Sequence, residues 1–177
     1  MKTKIISFII GGIIGFILWS FQTSAWAMPS GYEEVQAQTI QDPESYLEEN
    51  LIDIPQEVSD ICEKYGAEYN LLPEIGEGLC WRETRCTEDA ENGSCKGIAQ
   101  INVKVHKGRM EKLNITNIYD LDSNIHLAFD LLSELEEKNH DIRKSLDEYN
   151  GNGQGGNSKY AKQILLVARC LDLTGGD

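Results

Sequence analysis

Apolar residues recur at three- and four-residue spacing along most of the chain after position 54, which is the pattern of helices that bury one face. The pattern predicts helices that start near positions 55, 73 and 122, a shorter one through Ile142 and Tyr149, and a last one led by Tyr160. A modest helix is also expected from about Val103 to Leu113. The alternation typical of strands is confined to a hairpin expected within residues 85–101. We therefore predict one mainly α domain over residues 55–177, and about 120 residues suffice for a hydrophobic core.

Glycine and aspartate residues predict where some of these helices end or weaken. Gly66 is expected to end the first helix, and Asp122 is expected to cap the long one. Gly76 and Gly78 fall inside the second helix, and each weakens it by roughly 1 kcal/mol relative to alanine. Packing against the rest of the domain must therefore hold this helix together.

The first 27 residues have the pattern of a secretory signal peptide. Lys2 and Lys4 precede an apolar run over residues 5–21, and the triplet Ala25-Trp26-Ala27 predicts cleavage after position 27. The run is long for a signal peptide, so an uncleaved membrane anchor is the alternative. Both interpretations predict an exported protein, in the periplasm, in the cell wall or outside the cell. Contact with a membrane is expected only through residues 5–21, if the leader is retained.

Residues 28–54 separate the leader from the predicted domain. They contain seven acidic residues and no lysine or arginine. Such a segment repels itself and favours an extended linker, so we interpret it as an acidic spacer. A short helix is expected within it, near Pro43 to Asn50.

The chain is strongly acidic, with a formal net charge of −13 at pH 7. A protein that contacts nucleic acid needs clustered lysine and arginine to neutralise phosphates, and no such cluster is present in the sequence. Nucleic acid is therefore not an expected partner. A polymeric substrate would be held by hydrogen bonds and stacking.

Five cysteines follow the leader, at positions 62, 80, 86, 95 and 170. An exported protein meets an oxidising environment, but an odd number leaves at least one thiol unpaired. Our preferred disulfide joins Cys86 to Cys95, because it closes a short polar loop, and Cys62 with Cys170 is the second choice. No metal site is expected, since no CxxC pair is present and the three histidines follow no ligand spacing.

Several short motifs occur in an order that is similar to a known family. Glu83-Thr84 at the end of a helix precedes GIAQ at residues 97–100, the long helix, EYN at residues 148–150 with a glycine-rich turn, and the tyrosine-led last helix. This order resembles the catalytic domain of soluble lytic transglycosylases, in the lysozyme-like superfamily, over about residues 56–171. The family shows Glu-Ser, Gly-Leu-Met-Gln and Ala-Tyr-Asn at the matching places. The resemblance implies a lysozyme-like (α+β) fold.

The resemblance also implies roles for individual residues. Glu83 would be the single catalytic acid and base, while Thr84, Gln100, Tyr149 and Asn150 would bind substrate. The expected reaction cleaves the β-1,4 bond between N-acetylmuramic acid and N-acetylglucosamine in peptidoglycan strands and forms a 1,6-anhydro sugar, with no metal or cofactor. The short chain is similar to small members that open the wall locally for secretion or conjugation machinery.

The proposed acid has a specific physical requirement. An unperturbed glutamate is almost fully ionised at neutral pH and cannot protonate a leaving group. Burial against Trp81, Leu79 or Ile98 would raise the pKa of Glu83. Taken alone, Glu83 is better interpreted as a surface acid beside an arginine than as a catalytic acid. Only the downstream motifs favour the catalytic interpretation.

Two departures from the family pattern leave alternatives open. Ala99 replaces the family's methionine, and residues 148–156 lack the usual Ala-Gly-Pro order. One alternative is a lysozyme-type muramidase that hydrolyses the same bond, which calls for a second carboxylate; Asp89 is the first candidate for it. The other alternative is an inactive scaffold of the cell envelope. Trp81 is expected to pack in the core instead of stacking on sugar.

Overall fold

The computed structural model describes residues 30–32, 42–151 and 155–175. Its helices are α1 Pro43–Glu49, α2 Gln56–Tyr69, α3 Pro73–Thr84, α4 Lys107–Lys112, α5 Leu121–Asn139, α6 Ile142–Tyr149 and α7 Lys159–Thr174. Its strands are β1 Glu91–Asn92, β2 Cys95–Lys96 and β3 Ile101–Asn102. The mainly α prediction is confirmed, and so is a hairpin between positions 85 and 101.

The α3 helix is the centre of the fold. Eight of its twelve residues are buried, and it packs most extensively against α7 and then against α2. Its two glycines do not break it, because neighbouring helices pack closely against both. A Cβ at Gly76 would lie 2.5 Å from the ring of Phe129, and one at Gly78 would lie 2.8 Å from the carbonyl oxygen of Ile164. Both glycines therefore let neighbouring helices approach α3 closely.

Two predicted helix ends differ from the structure. The α2 helix continues through Gly66 to Tyr69, since Gly66 is needed for a close contact: a Cβ there would lie 2.8 Å from the carbonyl oxygen of Leu71. The α5 helix is capped by Asp120, whose carboxylate accepts a 3.0 Å hydrogen bond from Ser123 N. Asp122 lies two residues later, inside the first turn of the helix, and therefore cannot cap it.

Asp122 has a different partner from the one expected of a cap. Its carboxylate accepts hydrogen bonds from the Lys64 ammonium at 2.7 Å and from the Tyr65 hydroxyl at 2.6 Å. These bonds connect α5 to α2. The helix expected over residues 103–113 is also shorter than predicted, since α4 has only six residues.

The three strands form a small antiparallel sheet in the order β1-β2-β3. Asn92 pairs with Cys95 across the first turn, and Lys96 pairs with Ile101 across the second. The second turn, residues 97–100, carries the GIAQ motif. The sheet thus presents this motif between the end of α3 and the start of α4.

The segment before position 55 contributes to the folded domain. Ile142 N donates a 2.9 Å hydrogen bond to Ser30 O, and Tyr32 is fully buried. The predicted short helix is confirmed as α1, which packs on α7. Leu51 O accepts a bond from Trp81 Nε1 at 3.5 Å. Residues 30–32 and 42–54 are therefore part of the fold, in place of the spacer expected there.

The predicted leader, residues 1–27, lies outside the described residues and stays a prediction. Among the helices that the structure describes, none is both long and apolar enough to cross a membrane. All five cysteines are free thiols in the structure. The expected Cys86–Cys95 and Cys62–Cys170 disulfides are therefore not formed in it.

Candidate active site

Glu83 lies in the last turn of α3 and lines a groove of about 660 Å³. The helix ends one residue later, because Arg85 adopts the left-handed conformation, with φ of 55°. Gln100, Tyr149 and Asn150 line the same groove. Four of the five residues predicted to act on substrate are thus brought together from three separate parts of the chain.

The environment of Glu83 favours the protonated form of its carboxyl group. Burial raises the pKa of Glu83 and is the largest effect, while a hydrogen bond from Tyr160 and the charge of Arg82 lower it. The Tyr160 hydroxyl donates to Glu83 Oε1. The net pKa stays above the ordinary value of a glutamate, as the proposed acid requires.

A buried carboxylate fixes the start of α7 and with it the position of Tyr160. Asp147 accepts hydrogen bonds from Gly156 N at 2.7 Å and from the hydroxyl of Ser158. The same hydroxyl caps α7 by accepting from Ala161 N at 3.1 Å. Asp147 thus anchors the connection between α6 and α7 at Ser158, which lies two residues before Tyr160.

The turn at residues 97–100 is held by three side chains from three helices. The Thr84 hydroxyl donates to Ile98 O at 2.8 Å. Ala99 O accepts a 2.8 Å bond from the Tyr149 hydroxyl, and Ala99 N donates a 2.9 Å bond to Asn124 Oδ1. We call residues 97–100 the clamped turn. Each of the three hydrogen bonds satisfies a backbone group that would otherwise be buried without a partner.

Asn124 is fully committed to backbone groups around the clamped turn. Besides its bond to Ala99, its Nδ2 donates to Ile118 O at 2.8 Å and to Lys96 O at 3.1 Å. Gly97 makes this arrangement possible, since its φ is +74° and a Cβ would lie 2.2 Å from Asn124 Nδ2. Only glycine meets both requirements at position 97.

Gln100 and Tyr149 present polar groups in the groove from fixed positions. Gln100 Nε2 donates to Gly97 O at 3.0 Å and to Ala90 O at 3.2 Å. These bonds orient the amide, and its oxygen has no hydrogen-bond donor among the described residues. Burial, followed by the charge of Glu83, raises the pKa of Tyr149 well above that of a free tyrosine. Tyr149 therefore remains a neutral hydroxyl.

The remaining lining of the groove comes from the three strands, from the segment that leads into α4, and from α4, α5 and α6. It includes Asn102, Val105, His106, Arg109 and Glu134. Burial lowers the pKa of His106, and the nearby charge of Arg109 lowers it further. The imidazole is therefore mostly neutral at pH 7, and it makes no hydrogen bond to a described residue.

The other two acids that line the groove are held in ion pairs. Glu134 pairs with Arg109, and Glu148 pairs with Lys138 at 2.5 Å. A bond from Asn139 also reaches Glu148, at 3.1 Å. These partners hold the pKa of Glu148 below its usual range. Asp89, the expected candidate for a second carboxylate, is exposed and does not line the groove.

Thr84 does not take the place that the sequence predicted for it. It is absent from the groove lining, and its hydroxyl bonds Ile98 O and accepts from Thr87 N at 3.1 Å. Its hydroxyl holds the clamped turn and does not face the groove. A serine at this position would serve the same purpose, because the bond uses only the hydroxyl.

Trp81 is a packing residue, as expected, and it is 2% exposed. It does not line the groove, and neither Leu79 nor Ile98 does. The burial of Glu83 against one of these three residues stays a prediction. The direct partner of the carboxyl group is Tyr160.

Sequence reasoning missed Tyr160, Asn124 and the lining from β3 and α4. The sequence predicts Tyr160 only as the first residue of the last amphipathic helix. Asn124 carried a signal, since a short polar residue within the apolar stripe of a long helix needs buried partners. His106 and Asn102 carried none, because neither belongs to the motifs on which the resemblance rests.

The groove therefore combines one carboxyl group of raised pKa with neutral hydrogen-bonding groups. Such a site can donate a proton to an oxygen atom and later accept one. Amide, hydroxyl and imidazole groups suit a neutral, hydroxyl-rich ligand. Comparison of the chain with family models, with curated proteins and with solved structures found no match.

Proposed function

We propose that this protein is an exported peptidoglycan lytic transglycosylase. The observation that carries the proposal concerns the carboxyl group of Glu83. It lines a groove, burial raises its pKa, and it accepts a hydrogen bond from the Tyr160 hydroxyl. The motif order described above adds the substrate class. Glycan strands of alternating N-acetylmuramic acid and N-acetylglucosamine would lie along the groove.

In the first step, Glu83 protonates the glycosidic oxygen as the bond to the anomeric carbon breaks. The Tyr160 hydroxyl then stabilises the carboxylate that forms, because it already donates to Oε1. In the second step the carboxylate accepts the proton of the 6-hydroxyl of the muramic acid, and that oxygen closes on the anomeric carbon. The products are a 1,6-anhydro sugar and a free 4-hydroxyl.

A single carboxyl group suffices for this sequence of steps. Hydrolysis by inversion or by a covalent intermediate uses two carboxylates, one on each face of the bond. Of the described residues that line the groove, Glu83 is the only acid outside an ion pair. This distribution favours the transglycosylase over the muramidase.

Mass spectrometry of digested peptidoglycan tests the proposal. Purified wall is incubated with the protein, and the released fragments are expected to end in 1,6-anhydro-N-acetylmuramic acid. Fragments with reducing ends would instead show a muramidase. Binding to wall without any release, in the native protein as well as in Glu83→Gln, would show a scaffold.

A further inference from the structure

Three cysteines on or beside α2 and α3 form a group of reactive side chains outside the groove. Cys62 on α2 and Cys80 on α3 are both buried, with 0% and 1% exposure, while Cys86 follows α3 and is partly buried. None of these thiols lines the groove. The proposed reaction makes no use of them.

Cys62 and Cys80 are direct neighbours. The neighbouring Cys80 thiol, together with burial, raises the pKa of Cys62 well above its usual range. A second observation agrees, since a Cβ built at Gly76 would lie 3.1 Å from Cys62 Sγ. Gly76 precedes Cys80 by one turn on α3, so the Cys62 side chain lies against the face of α3 that carries both.

The other thiols have different surroundings. Cys170 lies on α7 and is fully buried. Cys86 and Cys95 are each only partly buried. The pairing expected between Cys62 and Cys170 therefore gives way to a pairing across α2 and α3.

We propose that Cys62 and Cys80 form a disulfide when the protein folds in an oxidising compartment, and that this bond fastens α3 to α2 next to the turn that carries Glu83. The free thiols of the structure represent the reduced form. Both sulfurs are inaccessible in the folded domain, so the bond forms while the chain is folding. The proposal does not depend on the reaction in the groove.

The chemistry requires an external disulfide as oxidant, such as oxidised glutathione or a protein disulfide. One cysteine thiolate attacks the oxidant, which releases one thiolate and leaves a mixed disulfide. The second cysteine loses its proton and attacks the cysteine sulfur of the mixed disulfide, which releases the other thiolate. Two cysteine thiols are thereby oxidised, and one external disulfide is reduced to two thiols.

Trypsin separates the alternatives without ambiguity. Cys62 falls in the peptide that ends at Lys64, Cys80 falls in residues 65–82, Cys86 and Cys95 fall together in residues 86–96, and Cys170 falls in residues 170–177. The full-length chain is unfolded and reduced, refolded in a buffer of reduced and oxidised glutathione, alkylated and digested.

The expected result is one linked pair, the peptide ending at Lys64 with residues 65–82, and alkylation at the other three cysteines. Three results would overturn the proposal. They are a link from either of these two peptides to another cysteine peptide, an internal bond in residues 86–96 without the expected pair, and full alkylation of all five thiols.

Thermal unfolding supplies the second measurement. Reducing agent is expected to lower the unfolding midpoint of the refolded wild type by more than about 5 °C, because the bond constrains the unfolded chain. Cys62→Ala is expected to show no such drop. Cys170→Ala is the matched control, since it also removes a fully buried thiol, and it is expected to keep the drop. Equal sensitivity of Cys62→Ala and wild type to reductant would also overturn the proposal.

Discussion

The two parts of the groove lining are built differently. The acid-bearing lining consists of Glu83, Gln100 and Tyr149, and each of these side chains is fixed by a hydrogen bond to Tyr160 or to a backbone carbonyl. The helical lining, named for α4 and α5, consists of the groove residues within 102–109 and 131–135, which include Asn102 of β3 and the residues that lead into α4. It contains Val105, which is 69% exposed, and a helix of only six residues.

Under the proposed function, this difference separates the part of the groove that transfers protons from the part that binds the glycan strand. Proton transfer depends on atoms held in place before the substrate arrives, because reorganisation of dipoles during the reaction adds to the barrier. The clamped turn and α7 supply that fixed frame for Glu83. Contacts along a flexible sugar chain demand less precision, and the short α4 with its exposed neighbour suits them.

The largest expected effect is the loss of the acid itself. Glu83→Gln should lower kcat by about 10²- to 10⁴-fold, since the amide cannot donate a proton as an acid does. Glu134→Gln is the matched change in the helical lining, and we expect a loss below about tenfold because Glu134 is already paired with Arg109. Steady-state rates on soluble glycan strands measure both. Equal losses of kcat in the two variants would contradict the proposed difference between the acid-bearing and the helical lining.

The folded state of Glu83→Gln can be checked by thermal unfolding. Burial raises the pKa of Glu83, so the folded protein prefers the neutral form, and its contribution to stability is lost as the pH rises through that pKa. Gln is neutral at every pH. The variant should therefore unfold at the same temperature as wild type or higher at pH 7.

Removal of the Tyr160 hydroxyl should shift the pH dependence. Its hydrogen bond lowers the pKa of Glu83, so Tyr160→Phe raises that pKa, and the alkaline limb of kcat/KM moves to higher pH. We also expect a loss of about tenfold at the optimum, as for one hydrogen bond to a charged group. Tyr65→Phe is the control, since the Tyr65 hydroxyl bonds Asp122 away from the groove. A downward shift in Tyr160→Phe would contradict the assignment.

Thr84 tests whether the clamped turn matters through its hydroxyl. Thr84→Val keeps the shape but leaves Ile98 O and Thr87 N without their partner. We expect a loss of about 1–3 kcal/mol in the free energy of unfolding, measured with urea. Thr84→Ser keeps the hydroxyl and should stay close to wild type in stability and rate. A Val variant as stable as the Ser variant would rule out this role.

The smallest expected effect belongs to the helical lining. His106→Ala removes an imidazole that has no bonded partner among the described residues, so the fold should lose little. We expect KM to rise by about three- to tenfold while kcat changes less, because the contact is made equally in the ground state and transition state. Rates over a range of glycan concentrations separate the two constants. A fall in kcat with constant KM would move His106 to the chemical step.

The fold was predictable where apolar spacing controls it. The helices α2, α3, α5 and α7 each bury one face or more, and their periodic residues predicted them. Their ends were less predictable, since Gly66 and Asp122 have local signals that tertiary contacts override. In the sequence Gly66 indicates a helix end. In the structure its missing side chain leaves room for the carbonyl oxygen of Leu71.

The site was predictable only in part, for a related reason. Motif order identified Glu83, Gln100 and Tyr149, but it cannot distinguish a side chain that faces the groove from one that holds the backbone behind it. Thr84 proved to be the second kind. Tyr160 and Asn124 act through contacts made 77 and 25 residues away along the chain, which no local pattern contains.

The place of Glu83 at the C-terminal end of α3 has one more consequence. The peptide dipoles of a helix add up to a partial negative charge at that end, and they disfavour an anion there. Part of the proton affinity of the acid is thereby supplied by the main chain, which substitution of neighbouring side chains does not alter. The strength of this acid is therefore tied to the continuity of the helix that carries it.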